Sequence, residues 1–488
     1  MGQNIIILGI WLILIFVSLN SLFCETFAIL PDNFNDYDAG KEWNPYLISN
    51  LANLRWLSET PEVWGTINGV QEKQYFLQTE DIDASETINW NNGEGFLPIG
   101  RRISPNYGVF HGQYDGAKHH ITKLWIQPHD HDFIQSDLIT SHYSLFAYLW
   151  EATLMNLGLE DLNYFADTSF LNRGSTISSL VGFAFRSTIT HCYATGNITV
   201  QFSPFPIEDP ILYNQVGGLA FILSSSSLLN SYSKVNITMV GNSFASLCGG
   251  LVMGLYASTI RNSFYYGQIS SESEYQKSCL VITGNNKSII ENCFITSDST
   301  INYDYALAYS LNNAQIIFSF WDKEATSMNY PVEIMTDSML YSCYGYLTDE
   351  MKDMVSYPNW DFENVWNIDP LINNGYPFLR NLNYPPVIEY DPLIPSLPPI
   401  LLGNYPNPFN PSTTIVFRLA TESQVNINIF NIKGQKVKIL LNEKMTSGIY
   451  HLIWNGKDDH EQDLGSGVYF YQLKTIDYSC VKRMIMLK

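Results

Sequence analysis

Five segments in the middle of this 488-residue chain repeat one pattern. They read Ile189-Thr-His-Cys-Tyr193, Leu228-Leu-Asn-Ser-Tyr232, Ile260-Arg-Asn-Ser-Phe264, Ile290-Glu-Asn-Cys-Phe294 and Ile316-Ile-Phe-Ser-Phe320. Aligned on the fourth position they give Cys192, Ser231, Ser263, Cys293 and Ser319, at spacings of 39, 32, 30 and 26 residues. The fifth position is always aromatic. Ile121-Thr-Lys-Leu-Trp125 and Leu154-Met-Asn-Leu-Gly158 fit more loosely. Repeats of about 20–50 residues mean a solenoid or an array, because one repeat cannot bury its apolar face alone and must stack on its neighbours.

The texture of each repeat selects the kind of solenoid. Glycine-apolar elements precede the pattern: Leu180-Val-Gly182, Gly217-Gly-Leu219 and Gly249-Gly-Leu-Val252, with Cys279-Leu-Val281 in the same place without its glycines. After the aromatic position, Gly196 and Gly267 mark turns before short β-type runs. No repeat holds an amphipathic helix, which disfavours helical and leucine-rich arrays. A propeller blade needs about 40 residues and four strands, too many for the shorter spacings. The pattern therefore predicts an all-β chain built on a right-handed parallel β-helix. The Cys/Ser column and the aromatic column are both expected to face inward as stacked ladders.

These segments resemble the GLUG-repeat proteins, through Val216-Gly-Gly-Leu219, Cys248-Gly-Gly-Leu-Val252 and Ser179-Leu-Val-Gly182. The resemblance covers residues 40–380. Asn44-Pro-Tyr-Leu-Ile48 with Leu51, Leu54 and Leu57 looks like its opening segment, and Tyr75-Phe-Leu77, Asp81-Ile-Asp83 and Phe110 to Gly116 like its first coils. Phe320-Trp-Asp322, Leu347 to Lys352, Trp360-Asp-Phe362 and Asn373 to Pro377 look like its closing segment. The later repeats lose glycines, and residues 127–140 form a polar insertion. The resemblance implies an exported or surface protein and no single activity.

Residues 381–400 carry Pro385, Pro386, Pro392, Pro395, Pro398 and Pro399, the composition of a semi-rigid spacer. Period-2 runs follow: Ile415, Phe417 and Leu419; Val425, Ile427 and Ile429; Tyr450, Leu452 and Trp454; Tyr469, Tyr471 and Leu473. With Gly434, Gly448, Gly456 and Gly465 between them, they predict a small immunoglobulin-like antiparallel β-sandwich over 401–488. This module resembles the carboxyl-terminal sorting domain of type IX secretion. The match rests on Asn404-Tyr-Pro-Asn-Pro-Phe-Asn-Pro-Ser-Thr413, Gly434-Gln435, Gly448, Trp454-Asn-Gly456, Ser466-Gly-Val-Tyr-Phe-Tyr471 and the basic end from Lys482-Arg483 to Lys488. Asn455 stands where the family usually has Asp. The resemblance implies that the type IX secretion machinery engages residues 401–488, and that the protein is secreted or held on the outer-membrane surface of a Gram-negative bacterium.

The amino terminus agrees with export. Ile5 to Val17 is an uncharged apolar run of 13, the length of a signal-peptide core and short for a membrane span, so 1–24 reads as a signal peptide. A retained anchor extending to Phe23 and a lipid-modified Cys24 are the rival readings. No second apolar stretch reaches spanning length, so no integral membrane segment is expected after signal removal. The formal net charge of −21 argues against nucleic acid as a partner, since phosphate binding needs a basic surface. The seven cysteines include no CxxC, and an exported chain permits disulfides without requiring them. Cys192 and Cys293, at equivalent repeat positions, suit small apolar roles as well as a bridge.

Chemistry is sparse. His129-Asp-His-Asp132, near His119 and His120, offers metal-type ligands or a solvated loop. Asp81, Asp83 and Asp115 are candidate carboxylates for glycan cleavage or turn caps. There is no GxSxG, HExxH or phosphate-binding glycine loop. Trp43, Trp56, Trp64, Trp90, Trp125 and Trp150 cluster in the first third, as sugar-stacking faces or as core. No catalytic, cofactor-binding or metal residue is assigned. Three roles stay open: binding, as an adhesin or matrix component with a polysaccharide or other surface ligand; glycan cleavage by a lyase or hydrolase; and passive surface structure.

Overall fold

A computed structural model describes residues 26–67, 70–101, 108–127, 142–167, 176–201, 214–240, 245–271, 275–297, 305–382, 400–405, 407–419, 422–446, 448–476 and 479–487. The signal-peptide reading, Cys24, His129 to Asp132 and the proline-rich spacer from 383 to 399 lie outside them. The chain forms two compact units, Met1–Pro385 and Pro386–Lys488.

The first unit is an all-β parallel solenoid, as the repeats predict. Three parallel sheets, each ten-stranded, run along it, and each coil from His142 to Tyr346 contributes to all three. In one representative coil, Ala220–Ser224 lies in the third sheet, Ser227–Leu229 in the first and Tyr232–Val240 in the second. The first position of the repeat is a single column in the first sheet: Tyr46, Phe76, Tyr114, Leu154, Ile189, Leu228, Ile260, Ile290, Ile316 and Leu340. From Phe76 to Ile316 this column is buried. Each residue sits about 4.8 Å from the next, so like side chains must pack on like.

The corners explain the polar part of the pattern. The residue before each Cys/Ser position is left-handed, with φ between +46° and +53° at His191, Asn230, Asn262, Asn292 and Phe318. Asn tolerates that region best among residues with a side chain. The following side chain then turns inward. Ser231 Oγ accepts the Cys192 N–H at 3.1 Å and donates to the Leu229 carbonyl at 2.7 Å. Ser263 accepts from Ser231, and Ser319 from Cys293, both at 3.2 Å. In the coils that carry serine, its hydroxyl thus satisfies the corner amide of the coil before it, as buried backbone requires. A second ladder, unseen in the sequence reading, does the same between the third and first sheets. Ser226, Ser258 and Ser288 accept from the N–H of Ser187, Ser226 and Ser258 at 3.0, 3.0 and 3.2 Å.

Two expectations need correction. The aromatic column does not face inward. Tyr193, Tyr232, Phe264, Phe294 and Phe320 stack on the outer face of the second sheet, while Ala194, Tyr265, Ile295 and Trp321 beside them line the interior. Period-2 alternation in a strand forces this once the Cys/Ser position turns in at the corner. The closing segment buries the outer column: Met351, Tyr357, Trp360, Trp366 and Tyr376 lie against it. The second correction is one of register. Leu154 to Gly158 is a full repeat, but Ile121 aligns with Leu159, one sheet further on. The first-sheet residue of that coil is Tyr114, because left-handed Ala117 and Lys118 lengthen its corner.

Both ends of the solenoid sequence are structurally legible. Asn50 caps the helix Leu51–Glu59 by accepting the Asn53 N–H at 3.0 Å, and Leu54 and Leu57 close the amino-terminal end of the core. At the other end, the buried Asp322 carboxylate accepts from the N–H of Glu324 and Ala325, from Thr348 Oγ1 at 3.1 Å and from Tyr376 Oη at 2.7 Å. It ties the last coils to the segment that covers the aromatic column. In the third sheet, Gly217-Gly218 and Gly249-Gly250 make a close bend where any Cβ would meet backbone or the Tyr265 ring. Cys279-Leu280 replaces the second pair in the next coil with one residue fewer before the shared Val252–Val281 position.

The second unit consists of two antiparallel sheets, one of three strands and one of four. Phe417, Ile427, Ile429, Trp454, Tyr471 and Met486 fill the space between them.

Candidate functional site

The sorting-type motif assembles around the last strand of the second unit. Asn407 Oδ1 accepts the Ile485 N–H at 2.8 Å, and Phe409 exchanges backbone hydrogen bonds with Ile485 and Leu487 at 2.9 Å each. Asn404 donates to Thr413 Oγ1 at 3.0 Å, and Phe409 packs on Trp454 at 5.5 Å between ring centroids. Gly456, with φ of +71°, lies against Met486 and Pro411. The motif residues scattered through 404–486 therefore form one structural unit. Val481, Lys482 and Arg483 project from its terminal strand into solvent.

On the first unit, the outer face of the third sheet carries an aromatic track. One column runs Trp150, Phe185, Ser224, Tyr256, Asn285 and Asn312 in register. Trp150 and Tyr256 are 36% and 38% exposed. Trp150 and Phe185 approach to 4.4 Å between centroids, and the Arg186 guanidinium lies 5.0 Å over Phe185. Glu151 pairs with Arg186 at 3.3 Å. Partly exposed Tyr148, Phe183 and Ile222 lie in the adjoining column. Rings beside amide side chains offer stacking and hydrogen bonds along one straight line.

The structure also brings together a polar cluster that sequence spacing did not. Asp81 Oδ1 lies 3.0 Å from His119 Nδ1 and 3.3 Å from His120 Nδ1. His120 Nε2 is 4.0 Å from Glu160, which accepts from the Tyr193 hydroxyl at 2.6 Å. Partial burial works against the Asp81 charge, but the His120 N–H, the His119 ring and both nearby imidazoles outweigh it and lower its carboxyl. Asp83 and Asp115 do not join. Asp83 caps the Ser85 N–H, and Asp115 accepts from Ala117 N–H and Asn156 Nδ2. Glu160 was missed because only parallel stacking places it one coil from His120.

Among the tryptophans of the first third, Trp56, Trp64 and Trp90 are core, Trp125 is half-buried, and Trp43 and Trp150 are exposed. All six described cysteines are thiols. Burial pushes Cys192 and Cys293 up to about 12, which makes them inert packing groups. Among the described residues no cluster of His, Cys, Asp and Glu is arranged to hold a metal ion, and no helix is long and apolar enough to cross a membrane.

Residues 404–487 match the secretion system C-terminal sorting domain. The chain thus couples a parallel β-solenoid to a sorting module of a secretion system. It is similar to halomucin of Haloquadratum walsbyi, 30% identical over 94 residues, which are 19% of this chain and 1% of that protein. It also shares a limited likeness with the structure of PorZ, a surface component of the type IX secretion system of Porphyromonas gingivalis. That likeness is 19% identical, spans 17% of this chain and 11% of the other, and has a TM-score of 0.14, too low to bear on fold or function.

Proposed function

We propose that this protein is delivered by type IX secretion to the cell surface or beyond, and that its GLUG-type solenoid acts there by binding, as an adhesin or matrix component. The observation that supports export is the match of residues 404–487 to a secretion sorting domain, folded around its own terminal strand. Deleting 401–488 is expected to leave the protein inside the cell while the solenoid stays folded. Unchanged release of the truncated chain would refute the route.

The binding surface is the aromatic track of the third sheet, and its ligand class is polysaccharide. Trp150, Phe185 and Tyr256 supply apolar faces, and Asn285 and Asn312 continue the column with amides. Trp150→Ala combined with Tyr256→Ala should weaken retardation in polysaccharide-containing gels by about tenfold or more, from a stacking contribution of about 1 kcal/mol per ring. Equal mobility of variant and parent would remove this surface from consideration.

The polar cluster supports a second reading, glycan cleavage. Asp81 and Glu160 flank His120 on one face, which is an acid–base arrangement. On that reading Glu160→Gln abolishes sugar release; on the binding reading there is no release to abolish.

A further inference from the structure

The two ends of the solenoid are finished differently. The helix Leu51–Glu59 covers the amino-terminal end. At the other end the last coil is formed by Val332–Thr336, Met339–Tyr341 and Tyr344–Tyr346, and each is the terminal strand of its sheet. Interior columns stop there in the open. Leu223, Leu255 and Leu311 are fully buried, yet Met335, the next residue of their column, is 41% exposed. Leu340 and Cys343 likewise end buried columns only half-buried. Met339 and Tyr341 add exposures of 54% and 56%. The closing segment does not cover this end, since it packs on the outer face of the second sheet. Across residues 332–346 the only charged side chains are Glu333 and Asp337, and Glu333 is engaged by Lys277.

We infer that this open coil is a self-association surface, and that its occupant is the same coil of a second copy, tail to tail. Three terminal strands present unpaired backbone donors and acceptors next to apolar side chains, which is a template for strand addition. A two-fold axis across the end sets one terminal strand antiparallel to its own copy and the other two antiparallel to each other, the pairing that sheets form most readily. The helix over the other end blocks head-to-tail growth, so association closes at a dimer. The scarcity of charge on this coil matters in a chain of net charge −21, because like-charge repulsion is weakest there.

The test is sedimentation of the full exported chain over a wide concentration range, with amide hydrogen exchange of 332–346 at both extremes. A monomer–dimer equilibrium is expected, with protection of 332–346 that rises with concentration. Met335→Glu with Met339→Lys, both at exposed positions, should weaken association by tenfold or more while leaving the thermal transition in place. A chain that stays monomeric, a dimer indifferent to these substitutions, or protection independent of concentration would each overturn the inference.

Discussion

His142 shows how far a single side chain departs from what its type suggests. It is buried among Tyr148, Phe183 and Phe221, with Nδ1 2.5 Å from Thr176 Oγ1. Burial lowers it from 6.5 to about 3, so the folded protein keeps it neutral. Between those two values the unfolded chain binds a proton here that the folded chain does not. Stability therefore falls as pH drops through that window, by as much as a few kcal/mol. His142→Gln should flatten the slope of melting temperature against pH between about 6 and 4, and an unchanged slope would assign it to other groups. Ser231→Ala removes the acceptor of a buried amide and should cost about 1–3 kcal/mol in denaturant unfolding, whereas Ser231→Cys, the residue other coils use, should cost less. Alkylation of the native protein should reach half-buried Cys480 well before Cys192 or Cys293. The Cys/Ser position was legible as a ladder because its residue type is nearly constant. The Ser187, Ser226, Ser258 and Ser288 ladder was not, because serine between short β-type runs reads as an ordinary turn.

At the scale of elements, the aromatic column carries the main lesson. Periodicity located it correctly and put it on the wrong side of the sheet. Alternation fixes relative facing along a strand, but the absolute sense depends on the left-handed corner just before it. The consequence is a second, external core roofed by the closing segment and tied by Asp322. Asp322→Ala should loosen that roof, raising amide exchange in 347–382 before the coils themselves respond. Phe294→Ala should cost about 3–5 kcal/mol, as for a ring removed from a true interior. If Phe294→Ala were nearly neutral, the roof would not be a packed core. The Ile121 misalignment has a similar cause: a corner lengthened by two left-handed residues shifts register without changing residue type.

For the whole molecule, the sequence disclosed most about architecture and destination and least about the ligand. Stacked like residues and a dense sorting motif survive as linear patterns. Binding surfaces on a solenoid do not, because Trp150, Phe185 and Tyr256 come into one column only through parallel register. The same holds for Asp81, His120 and Glu160. The most direct test of function is one incubation of the purified exported protein with a panel of soluble and insoluble polysaccharides, scoring co-sedimentation and released sugar together. The expected result is co-sedimentation with at least one polysaccharide, no release, and loss of binding in the Trp150→Ala, Tyr256→Ala protein. Release of oligosaccharide that disappears in Glu160→Gln, or no binding across the panel, would contradict it.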